Sequence, residues 1–120
     1  LLAMAYDALK VEPGDIVFVV DAKRYMYDLR HEIRFVDASE YSVKSADMFL
    51  GFLSGMLSQN FDVTAIFIDA FMKMVNADVS TLGDFFAQLD TLAEKRNLRF
   101  VISLSGDPDT MPEFMKKYVI

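Results

Sequence analysis

Apolar positions along this chain follow two rhythms, unbroken short runs and longer stretches with a helical repeat. Asp15 to Asp21 (DIVFVVD) and Val63 to Asp69 (VTAIFID) hold β-branched and aromatic residues in a continuous block. A strand with one wet face would alternate polar and apolar residues, so both runs predict strands covered on two faces. Leu98 to Ser103 (LRFVIS) predicts a further strand, placed centrally with Val63 to Asp69, and Ile33 to Asp37 (IRFVD) predicts a weaker one.

The helical repeat is clearest in two places. Ser42 to Gln59 carries Val43, Ala46, Phe49, Leu50, Leu53, Met56 and Leu57 on one wide stripe, the pattern of a well-buried helix. Gly51 and Gly55 lie one turn apart within it, and serve either a close approach to the sheet or no purpose beyond a loss of helix stability. Thr81 to Arg96 repeats Leu82, Phe85, Phe86, Leu89, Leu92 and Ala93, with Ser80 or Thr81 as N-cap. Lys95 and Arg96 fall in its last turn, where positive charge complements the helix dipole.

Leu1 to Lys10 is built from helix formers and is ended by Val11-Glu12-Pro13-Gly14. Ala22 to Arg30 is helix-compatible, with Tyr25, Met26 and Leu29 on one face. Thr110 caps a last short helix through Pro112, Phe114, Met115 and Tyr118, and Val119 and Ile120 begin a further strand.

Strands alternating with helices imply right-handed parallel crossovers, hence an α/β fold: a mostly parallel sheet with helices on both faces. At 120 residues the chain suits one domain spanning residues 1–120, and no linker, repeat or low-complexity tract divides it. It opens at Leu1 inside a helix-like stretch with no Met and no signal-peptide pattern, so the expectation is a chain trimmed at its N-terminus.

Composition and charge narrow the function. Hydrophobic residues make up 53% and charged residues 25%, a globular balance, and no apolar run is long enough for a membrane span. A net charge of -6 with no basic cluster argues against nucleic-acid binding. The chain has no cysteine, which excludes disulfides and thiolate zinc sites and fits a reducing compartment; the expected location is the cytoplasm. The lone His31 precedes a strand, the wrong end for a triad, and no zinc site can be built around it.

In an open parallel sheet, ligands bind outside the carboxyl ends of the strands. Those ends hold Asp21, Asp37, Asp69, and then Ser103, Ser105 and Asp107. Carboxylates converging on one rim repel each other unless a hard cation such as Mg²⁺ joins them, which makes a metal-binding rim one hypothesis. The competing account is that Asp caps the following turn, and it is favoured for Asp37, which is followed by Ala38-Ser39. Asp69 differs because a hydrophobic strand ending on a carboxylate is how nucleotide hydrolases hold Mg²⁺.

With VFVVDA at Val17 to Ala22, IRFVDA at Ile33 to Ala38, TAIFIDAF at Thr64 to Phe71 and RFVISLSG at Arg99 to Gly106, interleaved with helices, the chain resembles the RecA-like ATPase core, in particular its KaiC-like branch. The resemblance implies that Asp69 is the Walker B carboxylate that holds magnesium, and that Ser103 and Ser105 lie near the γ-phosphate. It implies Asp21 near the position of the catalytic base, where the family usually has Glu. The chain departs from the family in two ways. A G-x-x-x-x-G-K-[ST] phosphate loop is absent, so ATP and Mg²⁺ are expected cofactors only if that loop lies upstream of Leu1. Asp21 is shorter than Glu and is followed by Ala22, Lys23 and Arg24, so hydrolysis is expected to be weak or absent.

The expectation is therefore a truncated or degenerate RecA-like nucleotide-binding domain with a regulatory or signalling role. The alternative is a non-enzymatic interaction module that meets a protein partner or a second copy through a loop at Phe71 to Val75 and through Gly106 to Met111. In that stretch Phe71, Met72 and Met74 are either an exposed partner surface or are buried under a helix. A receiver-like phosphoacceptor ranks below both, since it needs an acidic pair after the first strand and a Lys after the last.

Overall fold

The structure, a computed structural model, describes residues 1–20, 33–69, 71–75 and 81–103. The elements run α1 (Leu2–Ala8), β1 (Asp15–Val20), β2 (Ile33–Asp37), a 3₁₀ turn (Ala38–Tyr41), α2 (Ala46–Gln59), β3 (Val63–Ile68), α3 (Phe71–Met74), α4 (Gly83–Arg96) and β4 (Arg99–Ile102). The strands form one sheet in the order β2-β1-β3-β4, and every pairing is parallel. The α/β architecture read from the sequence is therefore the observed one.

Alternation along the strands divides the core. Val17, Val19, Ile66 and Ile68 face one side, where Phe49, Leu53 and Leu57 of α2 and Phe85, Phe86 and Leu89 of α4 cover them. Ile16, Phe18, Val20, Ala65 and Phe67 face the other side, where Ala5 and Ala8 of α1 pack. The continuous apolar runs of β1 and β3 exist because both of their faces are dry. Gly14 lets the chain enter β1 close to β3, for a Cβ there would fall on the Asp62 carbonyl oxygen and within 2.5 Å of Thr64 Cγ2. Its amide donates to Thr64 Oγ1 at 3.1 Å. Asp15 is level with Val63 but Ile16 with Ala65, so β3 accommodates Thr64 as an extra residue at this point.

Several expectations are corrected. β4 is the edge of the sheet among the described residues, and Phe100, Val101 and Ile102 are only partly buried; apolarity reports dry faces, not the number of neighbouring strands. α2 begins at Ala46, with Ser45 Oγ accepting from the Met48 amide at 3.1 Å. α4 begins at Gly83 after Leu82, which makes no side-chain cap bond, so neither Ser80 nor Thr81 is the N-cap. Gly51 and Gly55 do not approach the sheet, since a Cβ at either would meet nothing within 4 Å. The predicted helices at Ala22 to Arg30 and after Thr110, and the strand at Val119, lie outside the described residues. So does His31.

Candidate functional site

Strand order decides where a ligand crevice forms. β1 connects outward to β2, whereas β3 connects outward to β4 on the other side. The strand order therefore reverses between β1 and β3, the position at which open parallel sheets form a binding cleft. The residue directly after β3 is Asp69, and its amide donates to Val19 O of β1 at 2.9 Å. Asp69 thus stands at the switch point.

Ser103 is beside it. Its amide donates to Ile68 O at 2.9 Å, continuing the β3–β4 ladder by one step, and its own carbonyl oxygen accepts from the Phe71 amide at 3.4 Å. Two of the residues expected at a phosphate and magnesium site are therefore adjacent on one rim. Asp21 and Ser105 lie outside the described residues.

Asp37 closes β2 on the same rim, level with Val20, and β1 separates it from Asp69. It is 6% exposed, and its Oδ1 accepts from Ser39 N at 3.0 Å and from Ser39 Oγ at 2.6 Å. That is the capping arrangement: the carboxylate starts the 3₁₀ turn and has no need of a cation. Among the described residues no group of three or more His, Cys, Asp or Glu is arranged to hold a metal ion. Among the described residues the rim of converging carboxylates is thereby reduced to Asp69, which would need water, phosphate oxygens or residues outside those described to complete an octahedral Mg²⁺ shell.

The segment after Asp69 is anchored rather than loose. Phe71 to Met74 form a short helix in place of the expected loop. The Phe71 ring is fully buried, 5.6 Å edge-on from Phe49, 5.1 Å stacked on Phe85 and 6.4 Å from Phe86. Val75 is fully buried as well, and Met72 partly. Phe71 and Val75 are thus core residues, not a partner surface; α2 and α4 meet above this end of β3, and apolar side chains following Asp69 fill the space between them. Gly106 to Met111, the other half of that interaction surface, lies outside the described residues.

Sequence reasoning missed a polar cluster at the opposite, amino edge of the sheet. Arg34 of β2 reaches across the start of β1, with its guanidinium 2.5 Å from Asp15 Oδ2, 3.0 Å from Asp62 Oδ2 and 2.5 Å from Asn60 Oδ1. A hydrogen bond between the two carboxyl groups raises Asp15 above the usual carboxylate value, reinforced by desolvation, and lowers Asp62. The signal was Arg34 itself, a charge inside a strand whose other members before Asp37 are apolar. Its partners are separated by 19 to 28 positions, so only the parallel pairing assembles the group. It ties the starts of β1 and β2 to the turn before β3, at the end where an open parallel sheet forms no ligand crevice.

No helix among the described residues is long and apolar enough to cross a membrane. Comparison with family models, with curated proteins and with solved structures finds no match to this chain.

Proposed function

We propose that this domain is a RecA-like, KaiC-like nucleotide-binding module with a regulatory or signalling role, in which Asp69 holds magnesium, Ser103 and Ser105 meet the terminal phosphate, and hydrolysis is weak or absent. The observation that carries the reading is the position of Asp69: it follows a central strand buried at every position but Thr64 and stands where the strand order reverses. Ser103 beside it adds a hydroxyl at the same rim.

Handedness adds support. α2 and α4 lie on one face and α1 on the other. A right-handed crossover entering β1 through α1 would start from a strand beyond β3, and among the described residues the open position is the outer edge of β4. A phosphate loop directly before α1, as the resemblance implies, would then emerge next to Ser103 and one strand from Asp69. Asp21 is retained as the residue near the position of the base, with a side chain one methylene short of Glu.

The test is calorimetry of ATP with Mg²⁺ against the full-length protein. Binding that Asp69→Asn abolishes or strongly weakens is the expected result. Absence of heat at millimolar nucleotide, the weakest affinity worth counting at about -4 kcal/mol, rejects the proposal.

A further inference from the structure

The geometry points to Phe71 as a positioning residue for Asp69, an inference that rests on the nucleotide-binding reading above. The Asp69 backbone has a fixed point on one side, its amide bonded to Val19 O of β1. The next described residue along the chain is Phe71, and it supplies the second fixed point twice over. Its amide donates to Ser103 O at the end of β4, and its ring sits fully buried at the centre of the aromatic group formed with Phe49, Phe85 and Phe86.

The consequence is mechanical. A carboxylate that follows the last ladder position of a strand would ordinarily swing with the loop that carries it, since loops are the mobile part of such folds. Here α3 begins at Phe71, two positions on, and the ring of that first residue is held by α2 and α4, two helices packed on the same face of the sheet. The backbone is thereby held at Asp69 itself and again at Phe71, so the core constrains where the chain carries Asp69 at the rim. Groups that orient a metal-holding side chain act on metal affinity although they never touch the ion.

Phe85 provides the control. It belongs to the same aromatic group, stacked on Phe71 at 5.1 Å, but it lies on α4 and has no part in the turn after Asp69. Phe71→Leu and Phe85→Leu remove similar ring contacts from one cluster, so loss of packing alone would affect them alike.

The experiment measures ATP affinity of the full-length protein with and without Mg²⁺ for the wild type, F71L and F85L, with urea melts to confirm that each is folded. The expected result is that Mg²⁺ tightens ATP binding in the wild type and in F85L. In F71L that tightening falls by roughly 10- to 100-fold, the usual cost of losing a group that orients a metal ligand, while Mg²⁺-free affinity is kept. Tightening retained in F71L, or lost equally in F85L, overturns the positioning role alone. No Mg²⁺ dependence in the wild type overturns the magnesium reading and this inference with it. If F71L does not fold, F71M, which keeps more of the buried volume, is read by the same criteria.

Discussion

Replacing Gly51 and Gly55 together by Ala should stabilise the protein. Both lie in the interior of α2, neither has a positive φ, and a Cβ on either would meet nothing within 4 Å. The substitution therefore adds no clash and removes only backbone freedom from the unfolded chain. Each glycine in a helix interior costs about 0.5–1 kcal/mol relative to Ala, so the pair should contribute about 1–2 kcal/mol. For a domain of this size each kcal/mol moves the melting temperature by roughly 4 °C, which gives a rise of roughly 4–8 °C. Thermal melts followed by far-UV circular dichroism, with urea midpoints as a second measure, would read it. Gly14→Ala is the built-in contrast, because its Cβ would fall on the Asp62 carbonyl oxygen; forcing the backbone apart there should cost about 1–3 kcal/mol. A double Ala variant that melts at or below the wild-type temperature would refute the reasoning, and would mean that this face of α2 is packed against something.

Three further outcomes follow from particular contacts. Asp37→Ala should lose about 0.5–2 kcal/mol in urea unfolding, whereas Asp37→Asn, which keeps an acceptor for Ser39, should lose much less; equal losses would disprove the capping role. The Asp15–Asp62 pair gives opposing pH terms. Asp62, lowered first by its bond to Asp15, adds stability above the ordinary value of 3.8 that disappears as pH falls through its folded value. Asp15, raised first by the same bond, adds stability below 3.8 that disappears as pH rises through its folded value. Because the Asn amide can still donate to Asp62, Asp15→Asn removes the second term and leaves the first, so its stability relative to wild type should increase as pH rises from 3.8 through the folded value of Asp15, and a relative decrease in urea midpoints would contradict this. Arg96→Ala should destabilise by about 1–2 kcal/mol, since Arg96 donates to Leu57 O at 3.0 Å at the end of α2 and lies 5.1 Å from the Phe61 ring centroid; an unchanged urea midpoint would show that this cap contributes nothing.

What was legible in the sequence is what local pattern encodes. The unbroken runs at Val17 to Val20 and Ala65 to Ile68 announced doubly covered strands because burial on both faces leaves no position for a polar residue. The stripes through Phe49, Leu53 and Leu57 and through Phe85, Phe86 and Leu89 announced helices because a 3.6-residue period puts them on one side. Asp37 followed by Ser39 carried its own turn chemistry. These features depend on neighbours within a few residues of each other.

The tertiary structure alone decided the rest, because it depends on which strand lies beside which. Apart from Arg99 at its start, little local distinguishes β4, an edge among the described residues, from β3, since Phe100 to Ile102 are as apolar as the end of β3. The order β2-β1-β3-β4 put the switch point at Asp69 rather than at Asp37, and so separated two aspartates that read alike at the ends of apolar strands. The same pairing gathered Arg34, Asp15, Asn60 and Asp62 into one cluster, and the meeting of α2 with α4 turned Phe71 and Val75 from surface candidates into core. Hydrophobic periodicity records how much water each residue avoids, but which distant residue it meets is set by the packing of whole elements.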